Sequence, residues 1–157
     1  MASGLVAPIQ GADVESSGSD GAWSWWVDPL ATTHGNGRYV SFGMVEGADT
    51  DQVVSRIDRT TGLVDSTFTV NSTFLKDDHS APAVSVLPDG RLLTLYTGHG
   101  ESGTLVFRRS TDGAPANFGA AVTALTTSSM TYPQLFVYGS ATLFAIGQTN
   151  DAAWDIA

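Results

Sequence analysis

An all-β fold built from a repeating unit of about 50 residues, the length of a propeller blade, is the architecture this sequence predicts. Two observations carry the prediction. From residue 25 onward, short β-type runs alternate with Gly, Asn, Asp and Pro, and no run keeps an apolar period of 3.6. The second observation is an internal repeat. Pro29, Pro82 and Pro133 each precede a short β run and stand 53 and 51 residues apart. Gly37, Arg38, Tyr39 and Val40 are matched 53 residues later by Gly90, Arg91, Leu92 and Leu93. The stretch 56–62 is matched 51 residues later by 107–113.

Taken in order, residues 1–24 are rich in Gly, Ser and Asp and read as an irregular arm or linker, free to pair with a neighbouring element. Candidate strands follow at 30–33, 38–45, 52–58 and 63–70, then at 83–87, 91–97, 104–109 and 120–125, and last at 134–137, 141–147 and 152–156. The pairs Asn36-Gly37 and Asp89-Gly90 signal two-residue hairpin turns, whose central positions need positive φ. Each unit thus reads as strand, tight turn, strand, loop, strand, turn, strand. Four strands at this period are the signature of a β-propeller blade of antiparallel strands.

The units fall near 25–76, 77–128 and 129–157, so about three blades are present and the last stops within its third strand. Propellers have about four to eight blades, and an open arc leaves strand edges unpaired. The expectation is a partial propeller from a parent of about seven blades, its edges covered by the remaining blades or by self-association. A small β-sandwich is the alternative architecture.

Composition narrows the partners. With 42% hydrophobic and 15% charged residues the 157-residue chain is too apolar for disorder and can form a proper core. No apolar stretch approaches the roughly 20 residues that span a membrane, and no signal peptide is visible at the start. Export by another route, or assembly into an extracellular or virion particle, stays open. The chain has no cysteine, which removes disulfides, thiolate metal sites and cysteine nucleophiles. A net charge of −9 repels phosphate backbones, so nucleic acid is excluded as a partner. The pairs Arg56 with Arg59 and Arg108 with Arg109 offer a local site for one carboxylate or sulfate, or stay solvated on an outer strand face.

Up-and-down connectivity sorts the polar residues between the two faces of the ring. Segments entering a first strand, and loops from second to third strand, open on one face. His79 enters the first strand of unit two, and His99 follows its second strand. Asp28 and Tyr132 enter the first strands of units one and three. His34, in a first-to-second turn, falls on the opposite face. Two histidines and a tyrosine converging from different blades have the makings of acid–base catalysis. The plainer reading is that the histidines cap loops and bond backbone carbonyls.

The run from Asp77, Asp78 and His79 through Pro82 to Pro88, Asp89, Gly90 and Arg91, then on to His99, resembles the BNR-repeat (bacterial neuraminidase repeat) propellers, in the branch that includes ulvan lyases. Arg109, Ser110, Thr111 and Asp112, and then Tyr132, Pro133 and Gln134, are also similar to that branch, and the likeness covers roughly residues 23–157. The resemblance implies β-elimination on a uronate-containing polysaccharide. It implies His79 or Tyr132 as base or acid and His99 as the group that binds or neutralises the uronate carboxylate. The arginine and further tyrosine that such lyases draw from later blades are not reached by this chain. Its Asp box is degenerate, since Ser110, Thr111, Asp112 and Gly113 lack the following Thr-Trp. These departures imply that the chain alone is inactive.

Two other functions compete. A non-catalytic glycan-binding propeller, of adhesin or viral-tail type, would use aromatic residues such as Trp23, Trp25, Trp26 and Tyr132 to stack on sugar rings; tryptophans packed between blades or under the N-terminal arm are the plain alternative, and Asp78, Trp25 and Trp26 are the candidate substrate-binding residues. A sialidase would need three arginines on the central face, where the arginines here do not fall. No metal site is expected, although the acidic loops at Asp77–Asp78 and at Glu46, Asp49 and Asp51 leave calcium open as a cofactor. Asn71, Ser72 and Thr73 fit the glycosylation pattern.

Overall fold

The computed structural model describes residues 21–22, 31–46, 51–72, 78–98, 103–127, 131–138, 142–148 and 154–156. Twelve strands are seen among them. The first sheet holds β1 (Gly21–Ala22), β2 (Ala31–His34), β3 (Tyr39–Glu46), β4 (Asp51–Asp58) and β5 (Leu63–Asn71). The second holds β6 (Ala83–Val86), β7 (Leu92–Tyr96), β8 (Gly103–Arg109) and β9 (Val122–Thr127). The third holds β10 (Thr131–Tyr138), β11 (Thr142–Gln148) and β12 (Trp154–Ile156). Every pairing is antiparallel, in the order β2-β3-β4-β5, β6-β7-β8-β9 and β10-β11-β12. These are two four-stranded propeller blades and three strands of a third.

The dipeptide β1 lies in the segment read as an irregular arm. It pairs with Val45 and Glu46, on the edge of β3 that β2 occupies lower down. The other strands start and stop within about two residues of the sequence reading, except β10, whose ladder begins at Thr131, three residues before the expected start.

The turns are where the reading needs correction. His34 pairs with Tyr39, so the first hairpin closes through four residues, with Gly35, Asn36 and Gly37 all at positive φ. The second closes through three: Gly90 N–H donates to Leu87 O, and Leu87 N–H to Arg91 O. There Gly90 alone is left-handed, at φ +81°. Pro88 supplies the fixed φ for the first corner of a type I turn, and Gly90 forms the bulge that follows it. A dipeptide cue marks a hairpin but leaves its loop length open.

The first strands lie side by side, β6 between β2 and β10, which places them innermost. Because blades stack face to face, central strands are covered on both sides and lose the in-out alternation. All five residues of β7 are buried. Val54 and Val70 of blade one meet Val84, Leu92 and Tyr96 of blade two, with Phe68 and Phe118 closing the edge at a ring separation of 5.3 Å. On its other face, Ala83, Leu95 and Leu105 pack with Leu135 of blade three. Each fully buried valine or leucine contributes about 1.5–3 kcal/mol.

At one point the blades touch backbone to backbone. A Cβ on Gly43 of β3 would lie 1.8 Å from the carbonyl oxygen of Pro82. Only glycine permits that approach. No helix among the described residues is long and apolar enough to cross a membrane.

Candidate functional site on the central face

The face where β2, β6 and β10 begin gathers the residues of interest. A single 3₁₀ turn, Asp78–Ser80, leads into β6 and carries His79 half-buried on it. Tyr132 stands opposite, in the second position of β10. Its φ is +53°, a left-handed conformation that costs a non-glycine residue about 1–3 kcal/mol. The strain sits on a bulge, since the ladder with β11 slips between Thr131 and Gln134. The outcome is a ring turned against the neighbouring blade. The His79 and Tyr132 rings meet edge to face, with centroids 5.0 Å apart and planes at 62°. Two of the three predicted catalytic residues are thus brought together across a blade boundary. His99, Trp25 and Trp26 lie outside the described residues, as do Trp23, Asp28 and Asp77; of Asp78 the structure describes the backbone.

Beneath the pair lies a residue that sequence reasoning missed. Gln52, at the start of β4, is fully buried. Its Nε2 donates to Ser80 O and, at 2.8 Å, to Thr97 O, while its Oε1 accepts from Asn71 Nδ2 at 3.3 Å. One amide from blade one therefore fixes two points of blade two: the turn that carries His79, and the end of the strand that leads to His99. Buried carbonyls need such partners, because each left unsatisfied costs about 1–3 kcal/mol. No hydrophobic pattern marks Gln52, since its strand is buried on both faces. The available signal is a lone uncharged amide opening the apolar run Val53-Val54.

The cations take different roles. Arg56 pairs in bidentate fashion with Asp65 at 2.9 Å, covers the Tyr39 ring and donates to Gly113 O of the next blade. Arg59 donates to Gly37 O at 2.8 Å. Arg109 and Arg91 share Asp89 at the second hairpin, and their bonds hold its carboxyl well below the ordinary carboxylate range. Arg38 bonds Asp58, which with the Thr60 backbone brings the Asp58 carboxyl down to about 2. Arg108, by contrast, is half-buried between blades one and two.

On the opposite face His34 is buried and shares a 2.9 Å hydrogen bond with Ser41 Oγ. Burial first, then the Arg56 charge, holds its pKa below the ordinary histidine value. The degenerate Asp box still closes its turn on that face. Leu92 N–H donates to Ser110 Oγ at 2.7 Å, and Asp112 accepts from Ala114 N and Asn117 Nδ2. Asn117 thus supplies a contact in a turn that lacks the Thr-Trp of the full box. Of the acidic loop, Glu46 and Asp51 face each other in register and Asp51 accepts from Thr69 Oγ1, while Asp49 lies outside the described residues. Among the described residues no group of three His, Asp or Glu side chains is placed to hold a metal ion.

Comparison with known proteins adds the family. No curated protein matches the chain. A family model described as a BNR repeat-containing family member matches residues 37–146, which spans the described strands from β3 to β10 and most of β11. With its four-stranded antiparallel blades and a match over more than half its length, the chain belongs to the BNR repeat-containing family.

Proposed function

We propose that the central face acts on an acidic polysaccharide, as part of a carbohydrate-handling propeller, and that its reaction is β-elimination at a uronate. The observation that carries this reading is the His79–Tyr132 pair: an imidazole and a phenol held 5.0 Å apart from two blades, with a strained backbone maintaining the phenol's position. Strain of this kind tends to persist where a side chain must be held for function.

Elimination requires three events. The C5 proton leaves to a base, the C5–H electron pair forms the C4=C5 double bond, and the C4–O glycosidic bond breaks as its oxygen gains a proton from an acid. Either member of the pair can take or give the proton, since imidazole exchanges protons near neutral pH and a phenol beside it can relay them. In this reading His79 or Tyr132 is the base or the acid, and His99 neutralises the carboxylate. Asp78, Trp25 and Trp26 are assigned to sugar binding.

The test is the ultraviolet absorbance of unsaturated uronate ends formed from a panel of acidic polysaccharides. This chain joined to the blades that complete its ring is expected to form them, and the His79→Ala form of that protein to lose at least about 100-fold, the usual contribution of a positioned acid or base. Saturable binding without product would replace the lyase by a glycan-binding module. Unchanged turnover in His79→Ala would overturn the assignment of the pair.

A further inference from the structure

Between blades one and two lies a cavity of about 360 Å³ whose lining includes neither His79 nor Tyr132. It opens between the end of β5 and the outer strands β8 and β9. Thr69, Asn71, Ser72 and Thr123 line it with polar groups, and Tyr96 and Arg108 form part of its wall. Its volume is near the lower end of small-ligand sites, roughly 300–1,000 Å³, which suits one sugar ring rather than a chain.

Arg108 is what makes this cavity more than a gap. Nε donates to Val70 O at 3.1 Å and to Tyr96 Oη at 3.3 Å, and Nη1 donates to Gly119 O at 3.0 Å. These bonds lock the guanidinium but use neutral acceptors. Arg38, Arg56, Arg91 and Arg109 each pair with an aspartate. Arg108 has no carboxylate partner among the described residues, and neither has its Nη2 an acceptor there. A half-buried, pre-positioned cation with unused donors favours an oxyanion, which guanidinium binds with two parallel bonds. The hydroxyls of Ser72 and Thr123 offer partners to the hydroxyls of a sugar ring, while Thr69 Oγ1, which donates to Asp51, is left to accept.

We infer that this inter-blade cavity is an accessory binding site for a single uronate residue, with Arg108 taking its carboxylate. The inference rests on the acidic-glycan reading of the central face and adds a second contact point to it.

The experiment is an NMR titration of the full chain with sodium glucuronate, with glucose, sodium acetate and sodium sulfate as comparison probes. Glucuronate should shift the Arg108 Nε–Hε signal and the amides of Asn71, Ser72 and Thr123 saturably. Acetate and sulfate should act at least 10-fold more weakly, and glucose should have no effect. Arg108→Lys should weaken glucuronate at least 10-fold. Thr123→Val, a substitution of similar volume on the exposed face of β9, should weaken it two- to fivefold while leaving the spectrum folded. Equal response to glucose, equal response to simple anions, or undiminished binding by Arg108→Lys would each overturn the inference. The amides of His79 and Tyr132, followed in a parallel titration with tetraglucuronate, separate the two readings. Shifts there without shifts around Arg108 overturn the accessory site alone. Shifts at neither overturn both.

Discussion

Replacing Gly43 with alanine drives a methyl group into the backbone of the next blade. The added Cβ would lie 1.8 Å from Pro82 O, 2.7 Å from its carbonyl carbon and 3.2 Å from its Cα, against about 3.4 Å for an ordinary contact. Neither side can yield cheaply. Gly43 pairs with Val54 in the middle of the β3–β4 ladder, and Pro82 is fully buried between Ala81 and Ala83, themselves 2% and 3% exposed. Overpacking a core typically costs about 1–3 kcal/mol and more when backbone must move, so about 3 kcal/mol or more is expected here. With a urea dependence of about 2 kcal/mol per molar, the midpoint followed by circular dichroism should fall by about 1.5 M. Gly90→Ala is the matched control. Its Cβ meets nothing within 4 Å, so the cost is that of φ +81° alone, about 1–2 kcal/mol. A Gly43→Ala midpoint no lower than that of Gly90→Ala would refute the backbone contact between blades.

Three further outcomes follow from the same geometry. Gln52→Leu leaves Ser80 O and Thr97 O without their donor, and should cost about 2–5 kcal/mol in urea unfolding while speeding amide exchange around His79; a loss below about 1 kcal/mol would contradict the clamp. His34 is held below its ordinary pKa, so the unfolded chain binds the extra proton: stability is full above pH 6.5, falls as pH drops below it, and should lose that slope in His34→Gln. Asp58 is held down to about 2, so its contribution is full above pH 3.8 and lost as pH falls toward 2; Asp58→Asn should flatten acid unfolding over that range, and an unchanged slope would contradict the Arg38 pairing.

The strands were legible because each feature that marks them is local. Runs of β-type residues, glycines at turns and the repeat of Pro29, Pro82 and Pro133 need no tertiary knowledge. Turn length was not legible, because Asn36-Gly37 and Asp89-Gly90 each fit several loops and the register of the flanking strands decides among them. The meeting of His79 with Tyr132 followed from connectivity, which sends both to one face. The left-handed backbone of Tyr132 did not follow, since it depends on a slip against β11. Gln52 was hidden, and of Arg108, named from the sequence only as a local carboxylate or sulfate site beside Arg109, the inter-blade bonding was hidden for the same reason. Each acts across a blade boundary, on carbonyls 28 or more places away in sequence. The Arg108 bond to Gly119, 11 places away, stays within its own blade.

The most direct test of the central claim is the mass of the products formed from tetraglucuronate by this chain joined to the blades that complete its ring, as wild type and as His79→Ala. Elimination adds no water, so wild type should yield one fragment a water lighter than the hydrolytic product, with no solvent oxygen incorporated, and His79→Ala should yield none. Fragments carrying solvent oxygen, or the same yield from both proteins, would contradict it.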